Sequence, residues 1–419
     1  MLRKLISLLL VVMCMGLCLT GMGEKPMNTD VYMGRDAADE WYLEMLADGL
    51  VRAGNPTRLQ HVIERAKAGE TVTLATIGGS ITEGAGASQY KECWAYRFML
   101  GMRALCGAGD GTNVRFVNAG VGGTPSTFGW MRYERDVVSR VQDDDNLPDV
   151  VVIEFAVNDY NEPSHHQCYE AMVKDILSQP NEPAVILLFS VFQGGFNLQD
   201  EIRKIGDTYD LLMVSIRDAA YPHVGKEWTE QEFFHDQYHP TSFGHAIMAD
   251  CMLYGVQACA AQETPEKDID LDVPPAYGLA YAHMTKVFGD SDTEALGISR
   301  GGFAHDDTTT YRNTPVGRVC GSNFHHNAKD GSEPLTFTAE FSRLLISWKN
   351  TTDASYGAAE VWVDGTRVAT LRGQQGSWGQ SETSLVFTRF QTGEHTVEIR
   401  MAEGSENKLF TITCIGIVE

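Results

Sequence analysis

Thr71-Val72-Thr73-Leu74-Ala75-Thr76-Ile77-Gly78-Gly79-Ser80-Ile81-Thr82 is an uncharged, β-branched run closed by two glycines and a serine. Seven such residues read as a strand buried on both faces, as in parallel sheets. The glycines permit a sharp turn, so Ser80 is projected beyond the strand's carboxyl end, where ligands of open α/β sheets bind. Val114–Val117, Val150–Phe155, Val185–Phe189 and Leu211–Ser215 repeat the short apolar pattern. Helical segments alternate with them. Trp94, Phe98, Met102 and Leu105 share one face of a helix over 91–106, and another helix follows Pro240, capped by Thr241 or Ser242, and runs to about Ala260. The spacing predicts a doubly wound parallel sheet over residues 70–260.

Outward from this unit the composition changes. The chain has 419 residues, 43% apolar and 21% charged, as expected of an ordinary globular protein. At the amino end, Arg3 and Lys4 precede an uncharged run from Leu5 to Leu19, and Gly21-Met22-Gly23 supplies small residues for cleavage. This pattern predicts a signal peptide over 1–23, too short to span a bilayer comfortably, and hence a secreted protein that meets the membrane only in transit. Residues 24–69 form an N-terminal extension. Residues 261–275 are rich in charge and proline and read as a linker. Beyond them, Leu335–Glu340, Arg343–Trp348, Ala359–Val363, Thr366–Leu371, Leu385–Phe390, His395–Met401 and Leu409–Val418 read as strands, with Asp364-Gly365 as a hairpin turn. Residues 276–419 are expected to form an all-β sandwich, a candidate carbohydrate-binding module.

Three further blocks fall at the carboxyl ends of the predicted strands: Asn118-Ala119-Gly120-Val121-Gly122-Gly123-Thr124, Ala156-Val157-Asn158-Asp159 and Asp236-Gln237-Tyr238-His239-Pro240. A serine, a glycine, an asparagine and a D-x-x-H pair in this order resemble the SGNH hydrolase superfamily, or GDSL esterases, over about residues 70–260. The resemblance implies a flavodoxin-like sheet and a serine esterase. It assigns Ser80 as nucleophile, His239 as base and Asp236 as its orienting acid, with the oxyanion held by the Ser80 and Gly123 N–H groups and the Asn158 amide. Two departures stand out: Gly79 replaces a common aspartate, and Ala156 a common glycine. Glu232 and His235 repeat the acid–base spacing, but only His239 is followed by proline and a helix. His245, inside that helix, reads as a core or surface histidine.

Other chemistries find little support. A net charge of −23 repels phosphate backbones, which argues against nucleic acid. The glycines after Asn118 fail the G-x-G-x-x-G spacing, so no nucleotide cofactor is implied. His165-His166 and His325-His326 read as loop residues without a third metal ligand, Asp143-Asp144-Asp145 as a solvated loop. The cysteines beyond the signal, Cys93, Cys106, Cys168, Cys251, Cys259, Cys320 and Cys414, are odd in number and lack C-x-x-C pairs, so neither a disulfide framework nor zinc is expected. A secreted serine esterase joined to a β module resembles polysaccharide acetyl esterases, and strong negative charge favours a neutral acetylated xylan or mannan over pectin. Trp378, in the glycine-rich loop 373–379, is a candidate sugar-stacking residue or a buried loop anchor. A lipase acting on longer acyl chains and an inactive glycan-binding protein are the competing readings.

Overall fold

A computed structural model describes residues 27–141, 147–291, 293–294, 296–309, 321–329, 331–375 and 381–419. The expected signal peptide, Asp143–Asp145, Cys320 and Trp378 lie outside the described residues.

Six strands form the first sheet: β1 (Leu50–Arg52), β2 (Val72–Gly78), β3 (Val114–Gly120), β4 (Val150–Glu154), β5 (Ala184–Phe189) and β6 (Leu212–Ser215), in the order β1-β6-β5-β4-β2-β3. All are parallel except β1, which runs antiparallel to β6 at the edge. Setting β1 aside, this is the flavodoxin-like order, whose switch point falls between β2 and β4. Side chains alternate between two cores. Leu74 and Val152 face helices Glu40–Asp48, Thr57–Lys67, Trp94–Cys106 and Ser242–Ala260, while Ala75 and Ile153 face helices Ser126–Asp136, Pro163–Leu177 and Gln199–Thr208. The N-terminal extension is built into this unit. It contributes β1 and two helices, and the buried Asp250 carboxylate accepts the Met33 and Gly34 N–H groups and the Tyr42 hydroxyl.

The carboxy-terminal unit is an antiparallel sheet of β7 (Thr285–Val287), β8 (Phe324–His326), β9 (Leu335–Lys349), β10 (Ala358–Val363), β11 (Thr366–Arg372), β12 (Ser381–Met401) and β13 (Phe410–Val418), in the order β11-β10-β12-β9-β13-β7, with β8 also on β13. Two expected pairs of strands are in fact single long ones, β9 and β12. Bulges near Val386 and over 389–392 let β12 bend without ending. The Asp364-Gly365 turn forms as expected, both residues at positive φ between paired Val363 and Thr366. His325 and His326 lie on β8 and His165 and His166 in a helix, not in loops.

The two units share a core. Leu345, Cys414 and Val418 of the second sheet pack with Phe128, Trp130, Met131, Tyr281 and Met284. Residues 261–275 are strapped down, Asp268 pairing with Arg58 at 2.8 Å while Ile269, Leu271 and Val273 lie on the same core. The buried Glu170 carboxylate then accepts the N–H groups of Ala276, Tyr277 and Gly278.

Candidate active site

β2 ends at Gly78 because the turn beyond it leaves no room for side chains. A Cβ on Gly78 would lie 2.5 Å from the Glu154 carbonyl oxygen, and one on Gly79 only 2.2 Å from the Asn158 side-chain oxygen. The Asn158 amide occupies the space a side chain at Gly79 would need. Ser80 therefore begins the short helix Ser80–Glu83 directly at the sheet edge, 8% exposed.

His239 Nε2 stands 2.9 Å from Ser80 Oγ, and its Nδ1 is 2.9 Å from each Asp236 carboxylate oxygen. Asp236 Oδ1 also accepts the N–H groups of Tyr238 and His239, so a tight loop carries acid and base together. Burial works against the Asp236 charge, but these hydrogen bonds outweigh it and hold the carboxyl below its ordinary range. Anchored on one side to an anion, the imidazole presents its other nitrogen to the serine hydroxyl, the arrangement that lets an alcohol attack a carbonyl. The nucleophile loop comes close: Gly86, at φ +89°, would place a Cβ 2.1 Å from the Pro240 carbonyl oxygen.

Gly123, exposed and at φ +64°, follows β3, and Asn158 follows β4. Their loops are tied by Asp159, whose Oδ1 accepts the Ser126 N–H at 2.7 Å and faces His165 Nδ1 at 3.2 Å. Buried Arg132 donates to the carbonyls of Gly78 and Ala119 and pairs with Asp136, holding the ends of β2 and β3. Asn118 donates to the Thr82 carbonyl. Two carboxylates that the motifs do not include flank the nucleophile. Glu83 accepts the Gly122 N–H at 2.5 Å, and burial raises its pKa. Glu154, wholly buried beneath the turn, accepts the hydroxyls of Thr82 and Ser190, and burial pushes its pKa up to about 7. Both stand within three residues of a catalytic block, but an isolated glutamate carries no signal of which N–H or hydroxyl it will meet.

The rival pair separates. Glu232 turns back to cap Thr229 and pairs with Arg35 at 2.8 Å, leaving His235 exposed. His245 is buried and bridges the nucleophile loop to the next helix: Nδ1 accepts the Trp94 N–H and Nε2 donates to the Ala85 carbonyl. Burial lowers its pKa to about 4, so it stays neutral there. Among the described residues, no group of three or more His, Cys, Asp or Glu side chains is placed to hold a metal.

A flavodoxin-like sheet with a hydroxyl–imidazole–carboxylate relay at its carboxyl edge defines a carboxylic ester hydrolase of the SGNH type. Residues 76–247 match the profile of the GDSL-like Lipase/Acylhydrolase family, which places the match within the α/β unit. Comparison with the curated proteins finds no match. Among solved structures, the chain is similar to a two-domain esterase active on acetylated mannans, at 26% identity over 89% of this chain and 98% of the other, with a TM-score of 0.77. A structure of such a two-domain esterase co-crystallised with mannopentaose matches with a TM-score of 0.76, at the same identity and coverage.

Proposed function

We propose that this protein is a secreted esterase that removes O-acetyl groups from a neutral polysaccharide through an acetyl-enzyme, and that mannan is preferred to xylan. The relay from Ser80 through His239 to Asp236 carries the reading. Ser80 Oγ attacks the acetyl carbonyl while His239 Nε2 takes its proton, and the imidazolium is stabilised by Asp236. The oxyanion is received by the Ser80 and Gly123 N–H groups and the Asn158 amide. Collapse expels the sugar alkoxide, which takes the proton from His239 and leaves acetyl on Ser80. Water, deprotonated by the same imidazole, then releases acetate.

Likeness to a mannan-active esterase across both units, rather than across the α/β unit alone, supports mannan. Arg3, Lys4 and the uncharged run behind them support export. The test measures acetate released from acetylated mannan and acetylated xylan, alongside p-nitrophenyl esters of rising chain length. Mannan should be the better polymer, and rates should fall steeply beyond acetate. A preference for octanoate would transfer the enzyme to the lipases.

A further inference from the structure

Three aromatic rings step outward from the base. Tyr238 lies edge-on to the His239 ring at 6.2 Å, Phe192 edge-on to Tyr238 at 5.1 Å, and Phe196 beside Phe192 at 6.2 Å. Two of them are open to solvent, Phe196 at 49% and Tyr238 at 39%. The surface is braced. Gln193 N–H donates to the Gln237 carbonyl, the Tyr221 hydroxyl to the Gln193 carbonyl, and Phe192 N–H to the Phe196 carbonyl, so the loop after β5 and the acid–base loop form one wall.

The chemistry of the relay says which part of an ester meets this wall. His239 must return its proton to the leaving oxygen, so the alcohol departs on the His239 side of Ser80. The acyl carbonyl oxygen turns toward Gly123 and Asn158, on loops from other strands. Rings beside His239 therefore meet the alcohol and not the acyl chain. Exposed rings suit a pyranose, whose C–H face stacks on an aromatic, and the Gln193 amide on the same loop donates to the Glu230 carboxylate at 3.2 Å.

We infer that Phe196 and Tyr238, backed by Phe192, form a subsite for a neutral sugar ring on the leaving-group side of the acetylated residue. This inference rests on the proposed deacetylation of a glycan. The test compares Phe196→Ala and Tyr238→Ala with the wild type on acetylated manno-oligosaccharides and on methyl acetate, whose alcohol has no ring. The ratio of kcat/KM for oligosaccharide to that for methyl acetate should fall about tenfold in each variant, the size of one lost aromatic contact. Phe196 lies on the loop after β5, so its variant gives an answer even where Tyr238→Ala disturbs the neighbouring histidine. An unchanged ratio in Phe196→Ala overturns the subsite. A shift in acyl-chain preference without a change in that ratio also overturns it, by assigning the rings to the acyl group. A wild-type enzyme that hydrolyses methyl acetate but no acetylated glycan overturns the proposed function itself, and the sugar subsite with it.

Discussion

Ser80 opens a short helix at the sheet edge and its hydroxyl meets His239 rather than the apolar core, so its removal should affect chemistry and not folding. Ser80→Ala should lower ester hydrolysis by at least about 10⁴-fold with an unchanged melting temperature. Retention of activity within a few fold would exclude the serine mechanism. Glu83 acts one step removed. By accepting the Gly122 N–H it fixes the turn that carries Gly123, the proposed oxyanion donor. Glu83→Ala should reduce kcat about ten- to hundredfold with little change in KM, because a misaimed donor weakens the developing oxyanion more than the bound ester. Glu83→Gln keeps an oxygen acceptor and should recover most of the loss. Equal damage from both variants would mean that charge, not aim, is what Glu83 supplies.

At the level of elements, the ends of β2, β3 and β4 are held by buried polar groups. Glu154 closes β4 against the nucleophile turn, and the pH dependence it confers has a definite sign. Its pKa rises from the ordinary 4.5 to about 7 on folding, so the native state binds its proton more tightly than the unfolded chain does. Its contribution to stability is therefore greatest at low pH, falls as pH rises above 4.5 and levels off beyond about 7. Glu154→Gln imitates the protonated form and does not titrate. The melting temperature of the variant should thus gain on that of the wild type between about pH 5 and pH 8. A constant difference across that range would show that Glu154 is not preferentially protonated in the folded protein.

For the molecule as a whole, the decisive feature is the apolar interface between the sheets. Phe128, Trp130 and Met131 of the esterase unit are buried together with Leu345, Cys414 and Val418 of the β unit. The Trp130 indole also donates to the Tyr281 carbonyl at 2.8 Å. A large apolar interface couples the unfolding of the units that share it. Calorimetry of the full chain should show one cooperative transition, and a chain ending at residue 275 should lose the near-ultraviolet dichroism of a packed core. Two separated transitions would show that the interface is dispensable.

Much of this could be read along the chain, because it depends on neighbours. Alternating apolar runs and helical stripes set the parallel sheet, glycines and capping residues set the element ends, and Ser80, Gly123 and Asn158 each follow a strand end while Asp236 and His239 precede a capped helix. What depended on distant partners could not be read. β1 is only three residues long and exists because β6 offers it an edge. β9 and β12 read as interrupted strands, since a bulge interrupts the local alternation while pairing across the sheet continues. Glu83, Glu154 and Asp159 were unremarkable acids until packing brought N–H and hydroxyl groups against them. The aromatic wall beside His239 joins residues more than forty positions apart. Local sequence determines which conformations a segment favours, whereas burial and the pairing of polar groups are settled only when segments far apart in the chain meet.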